Sequence, residues 1–265
     1  HIISNLLIIN TETNSYQGLF GYIAPSDNTL RLDIKRIGVV NSNISNGRTA
    51  GGIVGFASRT NIFECFHTGE LKTTNTGTLG GILGEAGYYV NVYDCYNRGN
   101  INRVASSFSV RLGGVVGRNK GYNSTERNLV YRCYNTGDIK GLNSSDYCGG
   151  IIAEMDNANL YNSYNVGKVE PSNGYVGGIA GSDGIRSAIG YCYYGGNCTL
   201  TEGILGEDDT TTPSSTTTTK LAVFGDLNAT VNNTQNILWY AGNNWNYDYH
   251  WNKAGAWRPS MDGIN

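Results

Sequence analysis

Residues Tyr93–Ile101 read YDCYNRGNI, and nearly the same string returns at Tyr131–Ile139 as YRCYNTGDI and at Tyr161–Val169 as YNSYNVGKV. A second string accompanies it: GGIVG from Gly51, GGILG from Gly80, GGVVG from Gly113, GGIIA from Gly149 and GGIAG from Gly177, with a degenerate GLFG from Gly18. The second glycine of each pair falls at 52, 81, 114, 150 and 178, so the steps are 29, 33, 36 and 28 residues. From that glycine to Cys65, Cys95, Cys133, Ser163 or Cys192 is 13, 14, 19, 13 or 14 residues. The long interval contains GRNKGYNSTERN, which reads as a loop excursion.

Self-similarity at this period indicates stacked units that cannot bury an apolar face alone. With 37 Gly, 19 Tyr, 4 Pro and only 15% charged residues, the chain favours short strands and turns, and no stretch follows the helical period of 3.6. The expectation is an all-β, right-handed parallel β-solenoid with coils beginning near Gly18, Gly52, Gly81, Gly114, Gly150 and Gly178. Each coil of about 29 residues would fold as three short strands and stack roughly 4.8 Å above its predecessor.

Stacking aligns equivalent residues in ladders. Cys65, Cys95, Cys133, Ser163 and Cys192 form an inward column of small side chains. Gly69, Gly99, Gly137 and Gly167 are expected at corners that need positive φ, and Asn97, Asn135 and Asn165 precede the last three by two residues, where amides can bond along the stack or cap the turn. His67 takes the Asn position in its coil and is read as structural. Phe66, Tyr96, Tyr134, Tyr164 and Tyr193 form an aromatic column whose rings would stack on one another and leave no room for a sugar.

These motifs resemble the GLUG-type repeats of bacterial proteins, whose pattern GGIVG…CYNTG.I they match in five units between about Gly18 and Gly195; the closing W…MDGIN near Trp257 also resembles the end of such arrays. The resemblance implies a secreted or wall-attached location, since similar repeats occur in the non-catalytic part of immunoglobulin A-specific zinc metallopeptidases and in adhesin-like surface proteins. It brings no catalytic residues. Ser163 in place of Cys, Ala153 in place of the motif's final Gly, and a Thr-rich stretch at Thr210–Thr219 depart from the pattern.

The organisation expected is a repeat region over 1–200, a Thr/Ser-rich loop over 201–220 and a capping segment over 221–265. All four tryptophans lie in that last segment. Trp239, Tyr240, Trp245, Tyr247, Trp251 and Trp257 either cover the last coil or bind a ligand. His1 opens directly onto a strand-like stretch, so the chain reads as a monomeric fragment of a larger one.

Chemistry is sparse. His1, His67 and His250 are the only histidines, no H-E-x-x-H or G-x-S-x-G motif occurs, and no cofactor or metal is expected; EDD at Glu207–Asp209 lacks the spaced oxygens of a calcium loop. Glu64, Asp94 and Arg132 on adjacent coils are the enzymatic alternative, a polysaccharide lyase or hydrolase, against the ordinary reading of an exposed charge ladder. If any disulfide forms it is Cys192–Cys198, with Cys148 outside the ladder. A net charge of −2 with scattered Lys and Arg disfavours nucleic acid, and apolar runs such as LLII at Leu6–Ile9 are too short to enter a membrane. The function expected is an extracellular or cell-surface interaction and spacer domain whose partner is a host protein, such as immunoglobulin or mucin, or a glycan. The alternative is a carbohydrate-binding or carbohydrate-active module.

Overall fold

The computed structural model describes residues 1–10, 15–46, 48–74, 77–105, 108–121, 127–170, 174–184, 186–190, 192–194, 204–206 and 218–220. These residues form a parallel β-solenoid with no helical segment among them, and every strand pairing is parallel. The coils stack in register, Gly51 on Gly80 on Gly113 on Gly149 on Gly177.

Each coil has four sides, not the three strands expected. In the coil after Thr49 these are Thr49–Gly51, Val54–Ala57, Thr60–Phe63 and Phe66–Thr73. They contribute to sheets of six, seven, six and twelve strands, here called the first to fourth sheets. The miscount has a physical cause: the Gly-Gly motif is a corner dividing one apolar run into two sides. From the next coil the fourth side is itself split, as in Tyr96–Asn97 and Asn100–Arg103.

The interior is filled by columns of fully buried apolar rungs. Ile53, Ile82, Val115, Ile151 and Ile179 form one, and Ile62, Val92, Val130, Leu160 and Ile189 another. Ala50, Leu79, Leu112, Cys148 and Val176 form a third, so Cys148 is simply one of its apolar rungs. The motif cysteines are buried as expected and Cys192 is a free thiol among the described residues, while Cys198, its expected partner if any bridge formed, lies outside them. Cys192 Sγ points inward, 3.4 Å from the Gly190 carbonyl.

The corner glycines behave differently from the expectation. Gly69 has positive φ (135°), whereas Gly99, Gly137 and Gly167 do not. They are glycines because stacked corners touch: a Cβ on Gly99 would lie 2.6 Å from the Gly69 carbonyl oxygen, and Gly137 and Gly167 abut the corner below more closely still. Positive φ belongs instead to Glu64, Asp94, Arg132 and Asn162, at 51–54°.

Two strands of the solenoid fall inside the segment read as a Thr/Ser-rich loop: Ile204–Gly206 extends the second sheet and Thr218–Lys220 the fourth. Residues 221–265, with the expected cap and the candidate ligand residues Trp239, Tyr240, Trp245, Tyr247, Trp251 and Trp257, lie outside the described residues.

Candidate functional site

The repeated CYN and GG strings meet inside the coil. Asn97, Asn135 and Asn165 point inward from the fourth sheet, fully buried, against the second glycine of the Gly-Gly corner. A Cβ on Gly114 would lie 2.6 Å from Asn135 Cγ, and one on Gly150 would lie 2.5 Å from Asn165 Cγ. His67 and Tyr194 fill the same place beside Gly52 and Gly178. The glycine exists to admit the amide.

Those amides are joined end to end. Asn97 Nδ2 donates to Asn135 Oδ1 and Asn135 Nδ2 to Asn165 Oδ1, both at 2.8 Å. Each amide also closes its own corner, Asn135 Nδ2 donating to the Gly137 carbonyl (2.7 Å) while Oδ1 accepts from Gly137 N–H (3.2 Å). Below them His67 Nδ1 lies 2.8 Å from Asn97 Oδ1, and His67 Nε2 lies 2.6 Å from Ser42 Oγ. Asn97 Oδ1 can only accept, so Nδ1 carries the proton and Nε2 accepts from the Ser42 hydroxyl. From Ser42 to Asn165 every donor therefore points up the stack, an alignment in which each bond polarises the next.

Ser42, His67 and Asn97 have the order and spacing of a nucleophile, base and orienting amide. Burial decides against that use, because Ser42 is only 4% exposed and His67 is fully covered, so no substrate carbonyl can approach Oγ. Burial also pushes the His67 imidazole down to about 4, against the opposing bond to Asn97, and keeps it neutral. The thiols give no nucleophile either: burial pushes Cys95 and Cys148 up, and Cys192 up to about 12.

The acidic candidates sit on the outside, at the corner between the third and fourth sheets. Arg36, Glu64, Asp94, Arg132 and Asn162 occupy successive rungs there, all in left-handed conformation. The structure brings Glu64, Asp94 and Arg132 together as expected, but turns the carboxylates apart. Glu64 Oε2 takes Arg36 Nε at 2.6 Å, whereas Asp94 holds Arg132 through two bonds of 2.5 and 2.6 Å. Asp94 is not an exposed rung, being 6% accessible, since Arg132 lies across it with its guanidinium 4.2 Å above the Tyr131 ring. A carboxylate so bound has no free oxygen aimed at solvent for acid-base work.

The aromatic column stacks face to face: Phe66 on Tyr96 at 5.0 Å, Tyr96 on Tyr134 at 4.8 Å, Tyr134 on Tyr164 at 5.0 Å. Burial pushes the Tyr96 phenol up to about 12. The Tyr193 ring lies outside the described side chains. A second column escaped the sequence reading, Phe63 on Tyr93 at 4.8 Å, although the first Tyr of YDCYN signals it by recurring at Tyr131 and Tyr161. In both columns ring faces cover one another, which denies a sugar the apolar platform it would stack on.

A groove of about 340 Å³ opens at the other end of the third sheet, lined by Asn28, Thr29, Arg31, Arg59 and Tyr89. Arg59 and Tyr89 are corner residues on neighbouring rungs, with φ of 50° and 58°. The guanidiniums of Arg31 and Arg59 lie 5.5 and 5.6 Å from the centre of the Tyr89 ring. No sequence motif marked this site, because its residues come from three separate stretches. No group of three or more His, Cys, Asp or Glu side chains that could hold a metal ion occurs among the described residues.

No family model matches the sequence, and no curated protein matches it. The fold is similar to that of a crystallised Bacteroides ovatus protein described as a "putative immunoglobulin A1 protease", with 20% sequence identity and a TM-score of 0.56 over 89% of this chain and 71% of that one. At that identity the likeness concerns the fold.

Proposed function

We propose that this chain is a non-catalytic interaction domain, a stiff β-solenoid spacer built of GLUG-type repeats within a larger secreted or surface-attached bacterial protein, contacting a host protein or glycan. The observation that supports this reading is the employment of every acid, base and nucleophile read from the repeats in holding the stack: Glu64 and Asp94 in ion pairs, His67 within the amide ladder. The fold shared with the Bacteroides ovatus protein agrees with it. A parallel β-solenoid keeps its rungs in fixed register, which suits it to hold other segments at a set distance.

The test is an array of host glycans and proteins, including immunoglobulin A and mucin, run beside turnover assays on the same polysaccharides. Saturable binding without turnover supports the proposal. Cleavage of any polysaccharide overturns it in favour of a carbohydrate-active enzyme.

A further inference from the structure

We propose that the groove between Arg31, Arg59 and Tyr89 binds an acidic monosaccharide unit, carrying either a carboxylate or a sulfate. The proposal rests on the glycan-contacting reading above and names the chemistry of one site for it.

Arg36, Arg103, Arg111, Arg118 and Arg132 each pair with an Asp or Glu on the solenoid. Arg31 and Arg59 form no ion pair with an Asp or Glu among the described residues, and both lie by one tyrosine ring. With no carboxylate of the described residues to answer either charge, an oxyanion in the groove would accept charge-assisted hydrogen bonds from the guanidiniums that line it. The surroundings are ordered in advance. Arg59 N–H donates to the Tyr88 carbonyl at 2.7 Å, and the loop carrying Asn28 and Thr29 is closed by Asp27 Oδ1, which accepts from Thr29 N–H at 2.8 Å and Thr29 Oγ1 at 2.7 Å. The Asp27 carboxylate is thus turned into its own loop.

Size and lining supply the rest. A volume of about 340 Å³ lies at the small end of ligand pockets and suits one sugar ring rather than a chain. The Asn28 amide offers a donor and an acceptor, and Thr29 Oγ1 an acceptor, for sugar hydroxyls beside the cationic pair. Tyr89 supplies the aromatic wall of the groove, with both guanidiniums over its ring.

The experiment is calorimetric titration of the whole chain with methyl β-glucuronide, glucose 6-sulfate, methyl β-glucoside, sodium acetate and sodium sulfate. At least one acidic sugar should bind about tenfold more tightly than the neutral glucoside, the worth of one charge-assisted hydrogen bond. Arg31→Gln and Arg59→Gln should each lose about that factor with no change in melting temperature, while Arg36→Gln, whose partner is Glu64, should bind as the parent does. Equal affinity for glucoside, equal affinity for the bare anions, or no binding of any sugar would overturn the proposal. A host-glycan signal on the array that survives Arg31→Gln would sink this site and leave the interaction domain standing.

Discussion

Two columns of polar residues climb the solenoid at the same pitch and teach opposite lessons about what a repeat conserves. The inner one, Ser42, His67, Asn97, Asn135 and Asn165, is sealed from water, and each side chain must bond to the rung above, the rung below or its own corner. The outer one, Arg36, Glu64, Asp94, Arg132 and Asn162, shares a backbone conformation and little else. Inside, an unpaired polar atom carries its full desolvation cost, so Ser42, His67 and the three asparagines each have a bonding partner within the column. Outside, Arg36 answers Glu64 and Arg132 answers Asp94, so the rung changes sign from coil to coil, and only Asn162 leaves a buried oxygen, its Oδ1, without a hydrogen-bond partner among the described residues.

The largest effect expected is at the centre of the inner column. Asn135→Leu keeps the size of the side chain but strands the Gly137 N–H, the Gly137 carbonyl and one amide hydrogen of Asn97. At about 1–3 kcal/mol for each buried group left unpaired, the loss should reach about 4 kcal/mol, roughly 10 °C in melting temperature. Calorimetry that showed a loss under about 1 kcal/mol would make the ladder a passive filler and erase the contrast.

His67 tests the same column by pH. Burial holds its folded-state value at about 4, below its ordinary 6.5, so between those values the unfolded chain takes up a proton that the folded chain refuses. The stabilisation is complete above pH 6.5 and drains away as pH falls towards 4, by about 3 kcal/mol in all. In His67→Asn, which writes the amide of the other coils into this rung, that component of the pH dependence should vanish. Urea melts of both proteins at pH 7 and pH 4.5 measure it; equal acid sensitivity would place the titrating group elsewhere.

The difference between the columns also explains what could be read in advance. The solenoid, its register, the inward cysteines and the amide ladder were legible because each is a chemical demand repeated every coil, and repetition is visible in a single sequence. The four-sided outline was not, since Gly51-Gly52 looks like a break between coils rather than a corner within one. A glycine at a sharp corner suggests positive φ at Gly99, Gly137 and Gly167, whereas contact between stacked corners is what excludes a Cβ there. Of the left-handed rungs, Asp94 and Asn162 are residue types that tolerate the conformation, but Glu64 and Arg132 are not, so the column as a whole carries no shared preference that would betray it. The Arg31–Arg59–Tyr89 groove was invisible for a related reason: Arg59 and Tyr89 are equivalent rungs bearing unrelated residues, so no motif recurs.

Within the outer column the two ion pairs should separate by exposure. Arg132→Ala uncovers Asp94, whose side chain is 8% accessible, and should cost about 1–2 kcal/mol because a nearly covered carboxylate loses two hydrogen bonds at once. A double-mutant cycle with Asp94→Asn measures the coupling. A coupling near zero would place Asp94 in water and make the outer column uniform.

The smallest effect is expected at Glu64, where two terms oppose each other. The Arg36–Glu64 pair is open to solvent, Arg36 being 60% accessible, and an exposed pair of this kind contributes about 0.2–1 kcal/mol. Glu64 sits at φ 53°, a conformation that costs an ordinary L-residue roughly 1 kcal/mol and asparagine less, and Asn162 already occupies the equivalent rung at 52°. Glu64→Asn therefore gives up a weak ion pair and relieves some backbone strain, for a net change within about 0.5 kcal/mol of zero. The reverse exchange inside the coil, Asn97→Glu, buries a carboxylate against Gly81 with no cation facing it and should prevent folding. Parallel denaturation of the two variants sets the same pair of residue types in both columns. If Glu64→Asn proved as damaging as Asn135→Leu, the outer rung would be fixed by its bonds, and the distinction between the columns would fail at the place where it predicts the greatest tolerance.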